Sequence, residues 1–396
     1  MICVETQYFN LNKIFLLAIG LWPYQKLKFR RLQTTLCFGI LTSFVIFQFT
    51  ALITTKCTAD FIIKIFSSTT FFSIYIIQYN MFWINIHHVK SSLQQLQCFY
   101  NELKDENELA IFKKYGHYTR QCTIILISIA IYWTFIATLL PIWPQIIRTV
   151  LYINKSQLQS QTIQIVTEYF VDQEKYYYLI LLHTNTVFCI GATTFTATGT
   201  MLLGYMIHAC GLFAITSYRM EQIMTTKMFK NINLKNKTMI YNKKVFYAVE
   251  IHCKVIKFCE FLCSTFKGSF FLMLIFMVTS LSLNILGIFR NASLETNETF
   301  LLHLLFASAI LFYTFVVNYI GQEITNHNNH VYFTVYNSRW YNASLHTQKL
   351  ILFVLLRGSK ACNLNIGGLI VASLECFASL TKTSVSYFTV MYSMEE

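Results

Sequence analysis

Long uninterrupted apolar stretches recur along this chain, and they fix its solvent before any other feature is considered. About 20 helical residues cross the roughly 30 Å hydrocarbon core of a bilayer. Inside lipid every backbone N–H and C=O must be satisfied within the spanning structure, which leaves helices as the solution for runs of this length. Spans are predicted over 34–54, 61–84, 122–144, 178–207, 267–289, 301–321 and 366–393. Charge agrees: only 12% of the residues are charged and 55% are hydrophobic, too little polar surface to cover a water-soluble protein of 396 residues. The expected class is all-α, a polytopic membrane protein with seven transmembrane helices. An odd number of spans puts the two termini on opposite sides.

Basic residues choose the sides. Lys13, Lys26, Lys28, Arg30 and Arg31 precede the first span. Lys90, Lys104, Lys113, Lys114 and Arg120 join the second to the third, and Arg219, Lys227, Lys230, Lys243, Lys244 and Lys257 the fourth to the fifth. Arg339, Lys349, Arg357 and Lys360 join the sixth to the seventh, while the alternate connections hold only Lys56, Arg148, Lys155, Lys175 and Arg290. The positive-inside rule then predicts a cytosolic N-terminus and an extracellular C-terminus. The net charge of +13 is a property of these flanks and does not point to nucleic acid. Sequons at Asn154, Asn291 and Asn297 fall on the expected outer side, those at Asn236 and Asn342 inside.

The segment around Ile14–Trp22 is short and apolar and stops at Pro23. It lacks a basic leader and a small-residue cleavage site, so it reads as an interfacial or re-entrant helix rather than a signal peptide. Cys259 and Cys263 share a helix face, but no second pair with zinc spacing follows. No cofactor or metal is expected. His183, His208 and His303 lie in apolar surroundings without a carboxylate at fixed spacing, which weakens the alternative of an acyltransferase-like membrane enzyme. Paired repeats and broken helices of a secondary transporter are missing.

Two helices are expected to outrun the bilayer. No proline interrupts 178–221, about 66 Å of helix at 1.5 Å per residue. In the run 238–290, Val245, Val249, His252, Ile256, Cys259 and Cys263 form one stripe, with Lys243, Lys254 and Lys257 off it. Such an amphipathic helix below the membrane needs packing partners, either within the chain or in a subunit-assembly domain.

The last span carries an unusual face. Glu375, Ser379, Lys382 with Thr383, Ser386, Val390 and Ser393 with Met394 recur every three or four residues. An ionisable side chain at mid-membrane costs about 2.5–3.5 kcal/mol on insertion scales. Single hydroxyls are common as interhelical glue, but a whole stripe including a lysine favours a wet lumen. Val390 and Met394 are its apolar positions toward the far end.

Three stretches carry a family resemblance. They are "GLWP" at Gly20–Pro23, "EYFVDQEKYYYLILLHTN" with "HACGLFAITSYRME" in the second outer connection and fourth helix, and the block from "YNSRWYNAS" to "SVSYFTV". In these the chain resembles insect odorant receptors of a hymenopteran type. The related gustatory receptors end in a TYxxxxxQF-like pattern, for which "SYFTVMYSM" lacks the Gln-Phe; a gustatory-type channel is the neighbouring alternative. G-protein-coupled receptors have the opposite orientation and motifs not found here.

The resemblance implies a ligand-gated, non-selective cation channel in the plasma membrane, in dendrites of olfactory neurons. It implies a heterotetramer with a shared co-receptor, this chain being the tuning subunit because it lacks the co-receptor's long cytosolic insertion. On that reading 1–33 is a cytosolic N-terminal segment, and 34–218 holds the odorant-binding helices. Cytosolic anchor helices with spans five and six would occupy 219–365, and 366–396 would line the pore. The gate would involve Val390, Met394, Tyr387, Ser386 and Thr383, with Glu396 at the mouth. A small apolar odorant would meet Phe71, Phe72, Tyr75, Ile129, Trp133, Ile136, Thr186, Ile190, Phe306 and Ile310.

Overall fold

The computed structural model describes residues 4–55, 58–143, 165–225, 234–293, 297–338, 340–342, 345–358, 364–366 and 370–394. Helices account for nearly all of them. In chain order these are α1 (Val4–Tyr8), α2 (Asn10–Ala18), α3 (Leu27–Thr54), α4 (Ala59–Ile84), α5 (Ile86–Glu102) and α6 (Glu106–Leu139). After them come α7 (Tyr177–Thr225), α8 (Leu234–Ser293), α9 (Asn297–Tyr336), α10 (Leu345–Gly358) and α11 (Leu374–Ser393). Six helices, α3, α4, α6, α7, α8 and α9, are both long and apolar enough to cross a membrane. The seventh expected span is α11, whose 20 residues give about 30 Å of helix. Its hydroxyls, Glu375 and Lys382 keep it from reading as an apolar helix.

Three helices exceed any bilayer. α7 has 49 residues, α8 60 and α9 40, hence about 74, 90 and 60 Å. α7 is the central post, with α6, α8 and α9 packed along it. Beyond the main core, one end of α7, the start of α8, the end of α9 and α10 form a second core of Met220, Ile223, Val245, Ala248, Val335, Ile351 and Val354. The stripe expected on α8 is turned inward along its length: Val245 joins this second core, Ile256 and Cys259 the main one, and His252 is buried. Its partner is therefore within the chain. Glu108 of α6 holds Arg219 of α7 in a two-pronged ion pair at 2.6 and 2.8 Å, and the same guanidinium donates to the Tyr247 carbonyl of α8. Three helices are fixed to one another by one arginine fork.

Four details add to the sequence expectation or differ from it. The second-to-third connection is itself helical (α5). The N-terminal segment buries one face in the bundle, with Phe9, Leu16, Leu21 and Trp22, and leaves Ile14 exposed on the other. Asn12 donates to Thr200 of α7 at 2.7 Å, and Gly20, at φ 75°, makes the turn out. The last helix starts at Leu374 rather than at 366. Residues Asn365–Ile366 and Ile370–Val371 pair as short antiparallel strands, and Ser373 caps α11 by accepting from the Cys376 N–H. Asn291 is buried, donating to the Gly287 carbonyl and accepting from Thr299, so it is no glycan acceptor in this fold. The sequon at Asn154 lies outside the described residues.

Candidate functional site: an apolar cavity beside a polar helix

A cavity of about 170 Å3 opens between α4, α6, α7, α8 and α9. Each wall follows from helical spacing. α6 contributes Leu126, Ala130, Trp133 and Ala137, one face at steps of four, three and four. α4 contributes Phe71, Ile74 and Tyr75, and α9 contributes Leu305, Ala309, Ile310 and Tyr313. On α7 the bulky Phe188 and Phe195 alternate with Ala192 and Gly199. A Cβ on Gly199 would stand 3.3 Å from the Tyr313 ring, so the glycine lets that ring sit close to the post. Phe195 and Tyr313 pack with centroids 4.0 Å apart.

The polar content is small: the hydroxyls of Thr134, Thr196 and Thr200 and the phenols of Tyr75 and Tyr313. Thr134 donates to the Ala130 carbonyl at 2.7 Å, and Thr200 to that of Thr196 at 2.7 Å. These hydroxyls can still accept a hydrogen bond. Cavities of about 150 Å3 lined by aliphatic and aromatic groups stay dry and take a benzene-sized guest. This cavity is of that scale and suits a single-ring or short-chain apolar molecule with one or two polar atoms.

Of the candidate binding residues, Phe71, Tyr75, Trp133 and Ile310 line the cavity. Phe72 and Phe306 stand behind its wall, Phe306 stacked on Phe71 at 4.1 Å and edge-on to Phe72 at 6.0 Å. Ile129, Ile136, Thr186 and Ile190 do not line it. Ile129 and Ile136 are off the α6 lining register, and Thr186 donates back to Leu182 on its own helix. Met277 and Phe270 of α8 and Tyr313 of α9 are lining residues that sequence reasoning missed. An interrupted aromatic pattern on two long apolar helices was their only sequence trace.

α11 packs on α8 and α9. Cys376 and Ser384 are buried there, and Phe388 stacks on Phe289 at 4.7 Å. The opposite side is open: Tyr387 and Val390 are each 56% exposed and Met394 81%. Glu375, Ser379, Lys382 and Ser386 share the exposed side. Thr383 is half-buried and donates to the Ser379 carbonyl at 2.8 Å. A membrane helix with a lysine and serines on its free face needs water or protein there, not lipid. Glu396 lies outside the described residues.

The three histidines are structural. His183 receives contacts from Tyr169 at 2.7 Å and Ser43 at 3.3 Å. Burial pushes the Tyr169 phenol up to about 12. His208 sits among Tyr8, Phe9 and Phe112, and His303 pairs with Asn284 at 3.0 Å. Among the described residues no cluster of three His, Cys, Asp or Glu side chains could hold a metal.

Residues 58–385 match the family model described as 7tm Odorant receptor. Among solved structures, the insect olfactory receptor OR5 of Machilis hrabei in complex with eugenol superposes with a TM-score of 0.78 at 16% identity, over 98% of each chain. A second structure of the same receptor gives 0.76, again at 16% identity, over 98% of this chain and 97% of that one. No curated protein sequence matches.

Proposed function

The chain belongs to the 7tm odorant receptor family, and from that premise we propose that it is the odorant-tuned subunit of a ligand-gated, non-selective cation channel. As a receptor it is not an enzyme. One observation carries the proposal: the apolar cavity is walled in part by the same two helices on which α11 is seated. Phe270, Met277 and Ile310 line the cavity, and they belong to α8 and α9, the two helices that seat α11. A guest that repacks that wall shifts the helices that seat α11, which carries the proposed gate. Cores are close-packed and transmit such displacement rather than absorbing it.

In this reading a small apolar odorant binds among Phe71, Tyr75, Trp133 and Ile310. Eugenol, named with the similar receptor structure, is a phenol of the right scale. Tyr387, Val390 and Met394 then line a central pore with Thr383 and Ser386 below them. The open face of α11 is completed by co-receptor subunits in a heterotetramer. The N-terminus is cytosolic, by the basic bias of the connections. The long extensions of α7, α8 and α9 with α10 form the cytosolic anchor, and the assembly acts in the plasma membrane of olfactory neurons.

The test is direct. The chain and a co-receptor, expressed together, should give odorant-evoked cation current in excised patches without GTP. A tag at Met1 should stain only permeabilised cells, a tag after Glu396 intact ones. A current abolished by blocking G-proteins, or the reverse staining, sinks the reading.

A further inference from the structure

A second cavity lies between α8, α9 and α11, about 80 Å3 in volume. It shares a partition with the first, made of Phe270, Met277, Ile310, Tyr313 and Val317. Its far wall is different. There Leu380, Thr381 and Ser384 come from the seat of α11, the side opposite Val390.

The polar atoms of this cavity have a common character. Ser384, fully buried, donates its hydroxyl proton to the Leu380 carbonyl at 3.0 Å. Thr381 donates to the Phe377 carbonyl at 2.9 Å, and Thr314 to that of Ile310 at 2.7 Å. Asn318 donates to the Thr314 carbonyl at 2.9 Å and accepts from the Ser373 N–H at 3.2 Å. The hydroxyl protons of Ser384, Thr381 and Thr314 are committed to carbonyls of their own helices, and these oxygens offer a guest acceptor lone pairs. The rest of the lining is aliphatic, aromatic or thioether. No charged side chain lines the space, so neither a carboxylate or phosphate nor a cation would find a counter-charge there. The chemistry selects a neutral, apolar molecule with one O–H or N–H donor.

Size narrows it further. At about half the volume of a cavity that takes benzene, this one holds three or four carbons. Met277 in the partition is unbranched and adaptable, its sulfur 3.9 Å from the Thr314 hydroxyl. We infer that the space between α8, α9 and α11 is a second ligand site, for small aliphatic alcohols, distinct from the cavity enclosed with α4, α6 and α7. A guest there presses on the buried face of α11 directly and would bias whatever that helix does.

Photolabelling with 3-azibutanol tests the site without relying on channel current. The full chain in lipid nanodiscs is labelled, and adducts are mapped by peptide mass spectrometry. Adducts are expected on the Leu380–Ser384 turn and on Met273 or Met277, displaced by 1-butanol. Ser384→Leu fills the cavity and should remove the α11 adducts while those at Leu126–Trp133 persist, which also shows that the variant folds. Ser384→Ala leaves the space but deletes an acceptor, and should weaken 1-butanol competition several-fold. Adducts confined to the first cavity and lipid-facing surfaces overturn the inference, as does an α11 adduct that 1-butanol leaves in place. Because the readout is occupancy, a receptor that conducts nothing could still carry the site, and a conducting one could lack it.

Discussion

Tyr75 of α4 lies directly against the backbone of Gly191 of α7, so close that any Cβ on the glycine would overlap the ring. Tyr75 is buried and forms part of the cavity wall, edge-on to Phe71 at 5.2 Å. The glycine is there for approach, not for a turn. Gly191→Ala should force the ring toward the cavity, at a cost of about 1–3 kcal/mol for overpacking. The expected outcome is a lower melting temperature in detergent and loss of response to the bulkiest agonists first. Unchanged melting together with an unchanged agonist series would mean that the two helices slide apart freely.

Trp133 meets Phe312 edge-on at 5.2 Å and lines the cavity from α6. Trp133→Ala removes the largest side chain of that wall. Agonist preference should move toward larger molecules, with weaker response to the best single-ring ligand, while ion selectivity is kept. A dose–response series in cells expressing both subunits, with reversal potentials, measures both. A change in reversal potential without a change in preference would place Trp133 outside the ligand wall.

The bundle was readable in the sequence because a span needs only length and apolarity. The polar side of α11 was readable because Glu375, Lys382 and the serines stand out against an apolar background. Facing was harder. α6 is apolar on every side within the membrane, so nothing in its periodicity distinguishes Trp133 from Ile129 or Ile136, and only packing on α7 sets its rotation. The N-terminal segment shows the same limit. The amide of Asn12, just ahead of the apolar run, bonds Thr200, 188 residues away. A polar residue whose partner is that distant leaves no local pattern.

Arg219 and Glu108 pin α6, α7 and α8 together below the main core. Both side chains are mostly buried, at 20% and 9% exposure. Arg219→Met strands a buried carboxylate and should destabilise by about 3 kcal/mol, the lower end for breaking a buried pair. Replacing both, Glu108→Leu with Arg219→Met, should recover most of that loss, since no lone charge remains. Thermal unfolding of the three proteins decides it. Equal losses in the single and double variants would show that the fork acts through its bond to the Tyr247 carbonyl rather than through the charge pair.

Val390 is the sharpest test of what α11 does. It is exposed in the single chain, on the side opposite Ser384 and away from Phe388, which anchors the helix to Phe289. An apolar residue at a narrow point of a pore excludes water when closed, and a polar one of larger size wets it. Val390→Gln should therefore raise basal current or alter permeability in the complex with the co-receptor. It touches neither cavity, so the order of agonist preference should stay as it is, the reverse of Trp133→Ala. Surface expression is measured in parallel by an extracellular tag. If expression is normal and conductance, selectivity and basal current are all unchanged, Val390 does not face the conducting path. The exposed side of α11 would then be a protein contact, its serines and Lys382 paired with a neighbouring subunit rather than with water.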